Sequence, residues 1–208
     1  SNVDLSHAYL EGVNLNGAVL DGANLSNTHL REVNMNWAKL INANLSSARL
    51  SLVNLSSAKL INANLTDAIL EKSYLKNADF GGADLIRVAF WDTQIDNTIN
   101  FIGADFSGTS FRQIIIDENT KIDAKWRLVW EIVNHGIIGK DLTNADLRGA
   151  DLRGVNLKGA NLTGADLRGV VNLTGAGGEL AGAAGYPVDP AGGLGGGVAP
   201  GGVGGAGG

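Results

Sequence analysis

The sequence contains no cysteine, which excludes disulfides, thiol catalysis, thiolate zinc sites and iron–sulfur clusters and leaves the redox compartment open. Three histidines in 208 residues leave little for a metal centre. Neither sign of charge dominates. Sixteen basic against 21 acidic side chains give a net charge of −5 and a pI near 5.1, which argues against a general binder of nucleic acid or anionic membranes. No run reaches the roughly 18 uninterrupted apolar residues of a membrane span, and no basic stretch followed by an apolar one opens the chain, so neither a transmembrane nor a secretory segment is indicated. Aromatics are scarce at 6%, so the environment of each one is informative. All three prolines stand beyond residue 186.

What is present is a repeat of five. An apolar residue occupies every fifth position from Leu5 to Ile95, nineteen in succession, fifteen of them Leu. Two residues before each stands something small, such as Ala8, Ala18, Ala23, Val33, Ala38 and Val53. A period of five is neither the 3.6 of a helix nor the 2 of a strand. A chain that buries both the large and the small residue must therefore turn a corner every five residues, and four such corners close a square coil. The octapeptide Ala38–Leu45 recurs unchanged as Ala58–Leu65, twenty residues later, which is four repeats. Each coil leaves its backbone N–H and C=O groups to bond the coils above and below, about 4.8 Å away. Burying each Leu is worth roughly 1.5–3 kcal/mol, and no single pentapeptide achieves that alone, so stacking is obligatory.

The units Ala23-Asn24-Leu25, Ala83-Asp84-Leu85 and Ala145-Asp146-Leu147 resemble those of the pentapeptide-repeat family, including its cyanobacterial members. The resemblance covers about 3–116 and 140–173 and implies an all-β solenoid, the right-handed quadrilateral β-helix. It says almost nothing of function.

The phase slips by one at 96–100, where the apolar positions become Phe101, Phe106, Phe111 and Ile116. One inserted residue there predicts a bulged corner. Between 117 and 139 the pattern breaks, and Ile122, Trp126, Val129, Trp130 and Val133 fall at helical spacing. A helix over 123–134 is predicted, with Thr120 or Asp123 capping its start and Gly136 its end. Its two tryptophans pack on the coils, the helix being either a lid on the column or a lateral insert. The string Lys125–Asn134 resembles an insert of cyanobacterial pentapeptide-repeat proteins. Repeats resume over 140–173, from Leu142 to Leu167 and then, after another slip, Leu173. The last 34 residues hold 16 of the 30 glycines and almost no charge, so 174–208 reads as a flexible tail.

With the large and small residues inside, three positions of each unit face outward, and residues twenty apart stack in columns. The residue before each apolar one alternates with period ten: Asp4, Asn14, Asn24, Asn34, Asn44, Asn54 and Asn64 on one pair of opposite faces, against Tyr9, Val19, His29, Lys39, Arg49, Lys59 and Ile69 on the other. The Asn columns read as structural, bonding corner backbone or each other. The hydroxyl column Ser6, Ser26, Ser46 and Thr66 is too narrow for a lattice-matching plane and reads as local hydrogen bonding. The variable columns are where binding is written. Trp37 and Trp91 fall at outward positions, and an exposed tryptophan is a common interface anchor; the alternative for each is a ring lying flat over a neighbouring coil or against an upstream domain. Lys39 with Ile41, and Lys59 with Ile61, share one face at adjacent heights, with Leu52 at another outward position. This apolar strip with basic residues beside it is a candidate docking surface, against the alternative of isolated apolar residues among solvated lysines. In the second block Arg148, Arg153, Lys158 and Arg168 follow their Leu while Asp146, Asp151 and Asp166 precede it, predicting local Asp–Arg pairs rather than a phosphate-binding stripe.

No nucleophile stands beside a base, His7, His29 and His135 fall apart, and a square column offers no obvious cleft. The expectation is a non-catalytic scaffold without cofactor or metal that presents a rigid column to a protein partner through Trp37, Trp91, Ile41, Ile61, Lys39 and Lys59, with no direct contact to nucleic acid or membrane. The alternative comes from the resemblance, since some family members protect DNA gyrase by imitating duplex DNA. That requires a strongly acidic column, and residues 1–116 carry eleven acidic and eight basic side chains. The repeat begins at Val3 without a capping element, which leads us to expect end-to-end pairing of two columns or an upstream domain. A cytoplasmic location is favoured, with the thylakoid lumen or periplasm open if an upstream targeting segment has been removed.

Overall fold

The structure is a computed structural model that describes residues 3–171 apart from 94, 96, 97, 137, 138 and 158. Strands β1 (Tyr9–Glu11), β2 (His29–Arg31), β3 (Arg49–Ser51), β4 (Ile69–Glu71) and β5 (Ala89–Trp91) form one parallel sheet in that order. Leu10, Leu30, Leu50, Leu70 and Phe90 stand in register along it. The other three faces are joined by single parallel bridges of the same spacing, such as Asn24↔Asn44, Asn34↔Asn54 and Lys39↔Lys59. One coil is therefore twenty residues with four faces, and the all-β solenoid expected from the period is the fold observed, a quadrilateral β-helix. In chain order the four inward columns pass through Leu25, Leu30, Met35 and Leu40, so the second and fourth faces lie opposite each other.

Each side is only three residues long because the next two must turn. At every described corner from Leu5 to Phe106 the second residue after the inward one has φ near +60°, the left-handed conformation that glycine adopts freely and asparagine at modest cost. Gly17, Gly22 and Gly82 fill some corners, and Asn27, Asn42 and Asn62 others. The asparagine columns behave as expected: the N–H groups of Ser26, Ser46 and Thr66 donate to Oδ1 of Asn24, Asn44 and Asn64 at 3.2, 3.1 and 2.9 Å. Between coils, Asn24 Nδ2 donates to Asp4 Oδ1 at 3.1 Å and Asn44 Nδ2 to Asn24 Oδ1 at 3.4 Å. Ser26 Oγ also bonds locally, to Asn24 Oδ1 at 2.8 Å.

The interior is the stacked large and small columns, with Leu25, Leu40, Leu45, Leu55, Leu60 and Leu65 fully buried. Where the small position carries a hydroxyl, the hydroxyl is used. Ser73 Oγ accepts from Val53 N–H at 3.3 Å and has Leu50 O within donating distance at 3.2 Å, and Thr93 repeats this one coil on with Ser73 N–H and Leu70 O. Ser73→Ala strands the Val53 N–H in the core, so urea unfolding is expected to show a loss of about 1–3 kcal/mol. A loss below about 0.5 kcal/mol, the scale of ordinary surface changes, would show that this bond is replaced.

The predicted phase slip is present as a register change, Asp79↔Asn100 and Asp84↔Asp105 being 21 apart; the bulged corner itself falls largely on 94, 96 and 97, outside the described residues. A further slip, between Ile116 and Lys121, was not anticipated. Asn100 pairs with Lys121, which sets Ile122 over Phe101, so Ile122 belongs to the coil and not to the helix. Helix α1 runs Ala124–His135, within a residue of its predicted limits. Gly136 closes it at φ +69°, as expected. The expected capping side chains are engaged elsewhere: Asp123 Oδ2 accepts from Gly103 N–H at 2.9 Å, and Thr120 Oγ1 lies 3.2 Å from Asp117 Oδ1. Trp126 is buried and meets the rings of Phe106 and Phe111 at 5.9 and 6.2 Å. Trp130, predicted as core, is half-buried, and its Nε1–H donates to Ile114 O at 2.7 Å. The first part of α1 thus rests on the interior phenylalanines of the first unit through Trp126.

The chain divides between Trp130 and Glu131 into two compact units. In the second, Asp141↔Asn161, Asp146↔Asp166 and Asp151↔Val171 stack one coil on the next around buried Leu142, Leu147, Leu152, Leu157, Leu162 and Leu167. Its arginines pair locally as predicted, Arg148 with Asp146 at 2.7 Å and Arg153 with Asp151 at 3.6 Å. Lys158, Leu173 and the glycine-rich tail lie outside the described residues.

Candidate interaction surface

Two outward columns run up the fourth face of the first unit. One reads Val19, Lys39, Lys59, Asp79, Asn100, and the other Asp21, Ile41, Ile61, Gly81, Ile102. Lys39 and Lys59 are exposed and Ile41 and Ile61 half-buried, so the predicted strip exists. Trp37 sits at the corner leading into this face, with φ +61° and 64% of its surface exposed. The sequence reading set Val19 in the column of Lys39 and Lys59 without making it a candidate and missed Ile102, both exposed; the signal was the spacing, since 19 stacks under 39 and, after the slip, 102 over 81. Lys59 Nζ reaches Asp79 at 3.4 Å. Burial alone would raise the Asp79 carboxyl, but bonds from Asn100, Gly81 N–H and Lys59 hold it below the ordinary 3.8, so it stays charged at neutral pH and its bonds weaken only in acid.

Trp91 does not join this group. It lies in β5 on the second face, opposite the isoleucine strip, so the six candidate residues divide five against one. Leu52 is also displaced, at a corner of the second and third faces (φ +56°), with the whole third face between it and the strip. On the second face the column Tyr9, His29, Arg49, Ile69 and the column Arg31, Ser51, Glu71, Trp91 wall an open trough of about 170 Å³. The histidines are dispersed as predicted, at the first corner, in β2 and at the end of α1. Among the described residues no three His, Asp or Glu side chains gather to hold a metal ion, and no helix is long and apolar enough to cross a membrane.

A family model described as pentapeptide repeats matches residues 1–36, 34–71, 73–113 and 141–176, in eight copies. The chain belongs to the pentapeptide repeat family. Pentapeptide repeat proteins of known structure resemble it. Rfr23 from the cyanobacterium Cyanothece 51142 is 26% identical over 58% of this chain and 88% of its own, with a TM-score of 0.41. HetL, involved in heterocyst differentiation regulation in the cyanobacterium Nostoc sp. strain PCC 7120, is 24% identical over 88% and 84%, with a TM-score of 0.46. A third similar protein is AT2G44920 from the Arabidopsis thaliana thylakoid lumen, 26% identical over 58% and 73%, with a TM-score of 0.36. No curated protein sequence matches the chain.

Proposed function

We propose that this pentapeptide repeat chain is a non-catalytic interaction scaffold whose fourth face, with Trp37 at its edge and Ile41, Ile61, Lys39 and Lys59 across it, receives a protein partner. The observation that carries the reading is Trp37. A large aromatic ring is held in solvent, at a backbone conformation that costs a residue with a side chain roughly 1–2 kcal/mol. Other corners of the same column hold Gly17, Ser57 and Asn77, so the fold does not demand an aromatic there. A group that costs stability and contributes little packing is accounted for by what it binds. Imitation of duplex DNA toward gyrase fits less well, because Lys39 and Lys59 stand on this face and residues 1–116 carry only a small negative excess.

Trp37→Asn should raise stability by about 1 kcal/mol, since asparagine accepts the left-handed corner more readily. Thermal and urea unfolding check this, and a loss of stability would make the ring a packing group and remove the reading. The interaction itself is tested by a photo-crosslinking residue placed at Ile61 or, as a control, at the exposed Tyr74 of the third face. A discrete adduct from position 61 that is absent from position 74 and abolished by Trp37→Asn is expected. Equal labelling from both positions would refute the assignment of this face.

A further inference from the structure

We propose that the trough on the opposite, second face is a separate binding site for an extended peptide in which an acidic side chain stands two residues from a bulky apolar one. Nothing in it depends on Trp37 or the isoleucine strip.

The first observation is a cation without a counter-ion. The other basic groups of this face and its corners are engaged: Arg31 with Glu11 at 2.9 Å and Glu32 at 3.4 Å, Lys72 with Glu71 at 3.9 Å, and Arg87 with Asp67 at 2.6 Å. Arg49 is exposed at the middle of the trough, and among the described residues its side chain has no ion-pair partner. Its neighbours in the column are His29 and Ile69, neither of which supplies a carboxylate to it. A guanidinium accepts a carboxylate through two parallel bonds, which selects an acidic side chain over a neutral one.

The second observation is an apolar recess directly beyond it. Ile69 and then Ala89 follow Arg49 in the same column. Across β5 from the small Ala89 stands Trp91, half-exposed. A ring beside a missing side chain leaves room for an incoming apolar group against Ile69 and the indole.

Spacing ties the two together. Strands lie about 4.8 Å apart, so Ile69 and Ala89 are about 5 and 10 Å from Arg49 along the column. An extended peptide advances about 3.3 Å per residue, so a carboxylate at Arg49 places the side chain two residues on between Ile69 and Ala89. Glu71 on the facing wall repels a carboxylate set there and fixes which side the acid takes. The trough, at about 170 Å³, is well below the roughly 300–1,000 Å³ of an enclosing small-molecule pocket and suits two side chains of a chain laid across it.

The test uses the full chain, isotope-labelled, titrated with the capped pentapeptide glycine-glutamate-glycine-phenylalanine-glycine and followed by amide chemical shifts. Shifts confined to β3, β4 and β5 are expected, with a submillimolar dissociation constant. Arg49→Gln, Trp91→Ala and the glutamine version of the peptide should each weaken binding about fivefold or more, equivalent to about 1 kcal/mol, while Trp37→Asn changes nothing. Both substituted residues are exposed, and the amide spectrum itself reports whether each variant is folded. No shifts up to about 5 mM peptide, a range in which even millimolar binding registers, would overturn the site. So would equal affinity for the glutamate and glutamine peptides, or an Arg49→Gln protein that binds as tightly as the parent.

Discussion

Replacing Phe106 by alanine is expected to cost about 3–5 kcal/mol, the range for emptying an aromatic site in a packed interior. The ring is buried and touches three others, Phe101 at 5.2 Å, Phe111 at 5.1 Å and Trp126 at 5.9 Å. The cavity left behind has few ways to collapse, because each coil is tied to its neighbour by backbone bonds such as Leu85 N–H to Asp105 O at 2.8 Å. The loss should also be directional. Below Phe106 the coils retain their own leucine columns, whereas above it the aromatic contact of α1 with the column is made through Trp126. Urea unfolding followed by tryptophan emission will therefore show, besides the lower midpoint, a red shift before the main transition as the indole of Trp126 enters water. A loss under about 1 kcal/mol, ordinary for a surface site, would mean that the phenylalanine cluster is not what seats Trp126.

That cluster shows where the sequence is transparent and where it is not. The columns were legible because a solenoid reduces three dimensions to arithmetic: residues twenty apart must stack, so Lys39 and Lys59, or Ile41 and Ile61, were placed together without any structure. The slip near residue 98 was legible for the same reason, as a change in the remainder. The slip before Lys121 was obscured by competing chemistry, since Ile122 stands four before Trp126 and satisfies a helical spacing as well as the coil it in fact completes. The opposition of Trp37 and Trp91 was available from the same arithmetic, their positions falling on different sides of the twenty-residue square, but outward orientation alone does not state which side. The left-handed corners were not read from the sequence, although Gly17, Gly22, Asn42 and Asn62 suit them. The same conformation at Trp37 and Leu52 has no local signature and follows from the closure of the coil. The uncompensated charge of Arg49 is likewise a property of the stack, decided by which carboxylates stand within reach.

The sharpest test of the stack is a pair of adjacent residues with opposite fates. Leu45→Ala is expected to cost about 2–5 kcal/mol and Ser46→Ala well under 1 kcal/mol. Leu45 is fully buried, between Leu25 and Leu65 of its column, and its N–H donates to Asn64 O at 2.7 Å. Truncating it removes contacts to the coil below and the coil above at once, and in a solenoid those two interfaces are most of what holds a coil in place. Ser46 is one residue further on and half-buried. Its contribution to the corner is a backbone N–H donated to Asn44 Oδ1 at 3.1 Å, which alanine keeps. The size of the loss at Leu45 therefore reports whether its isobutyl group lies inside, since the two residues share a pair of neighbouring coils and the same unfolded surroundings. Denaturant midpoints of the two variants beside the parent supply the comparison. Equal losses would mean that residue 45 is not inward, and with it the twenty-residue register on which both candidate binding faces are drawn.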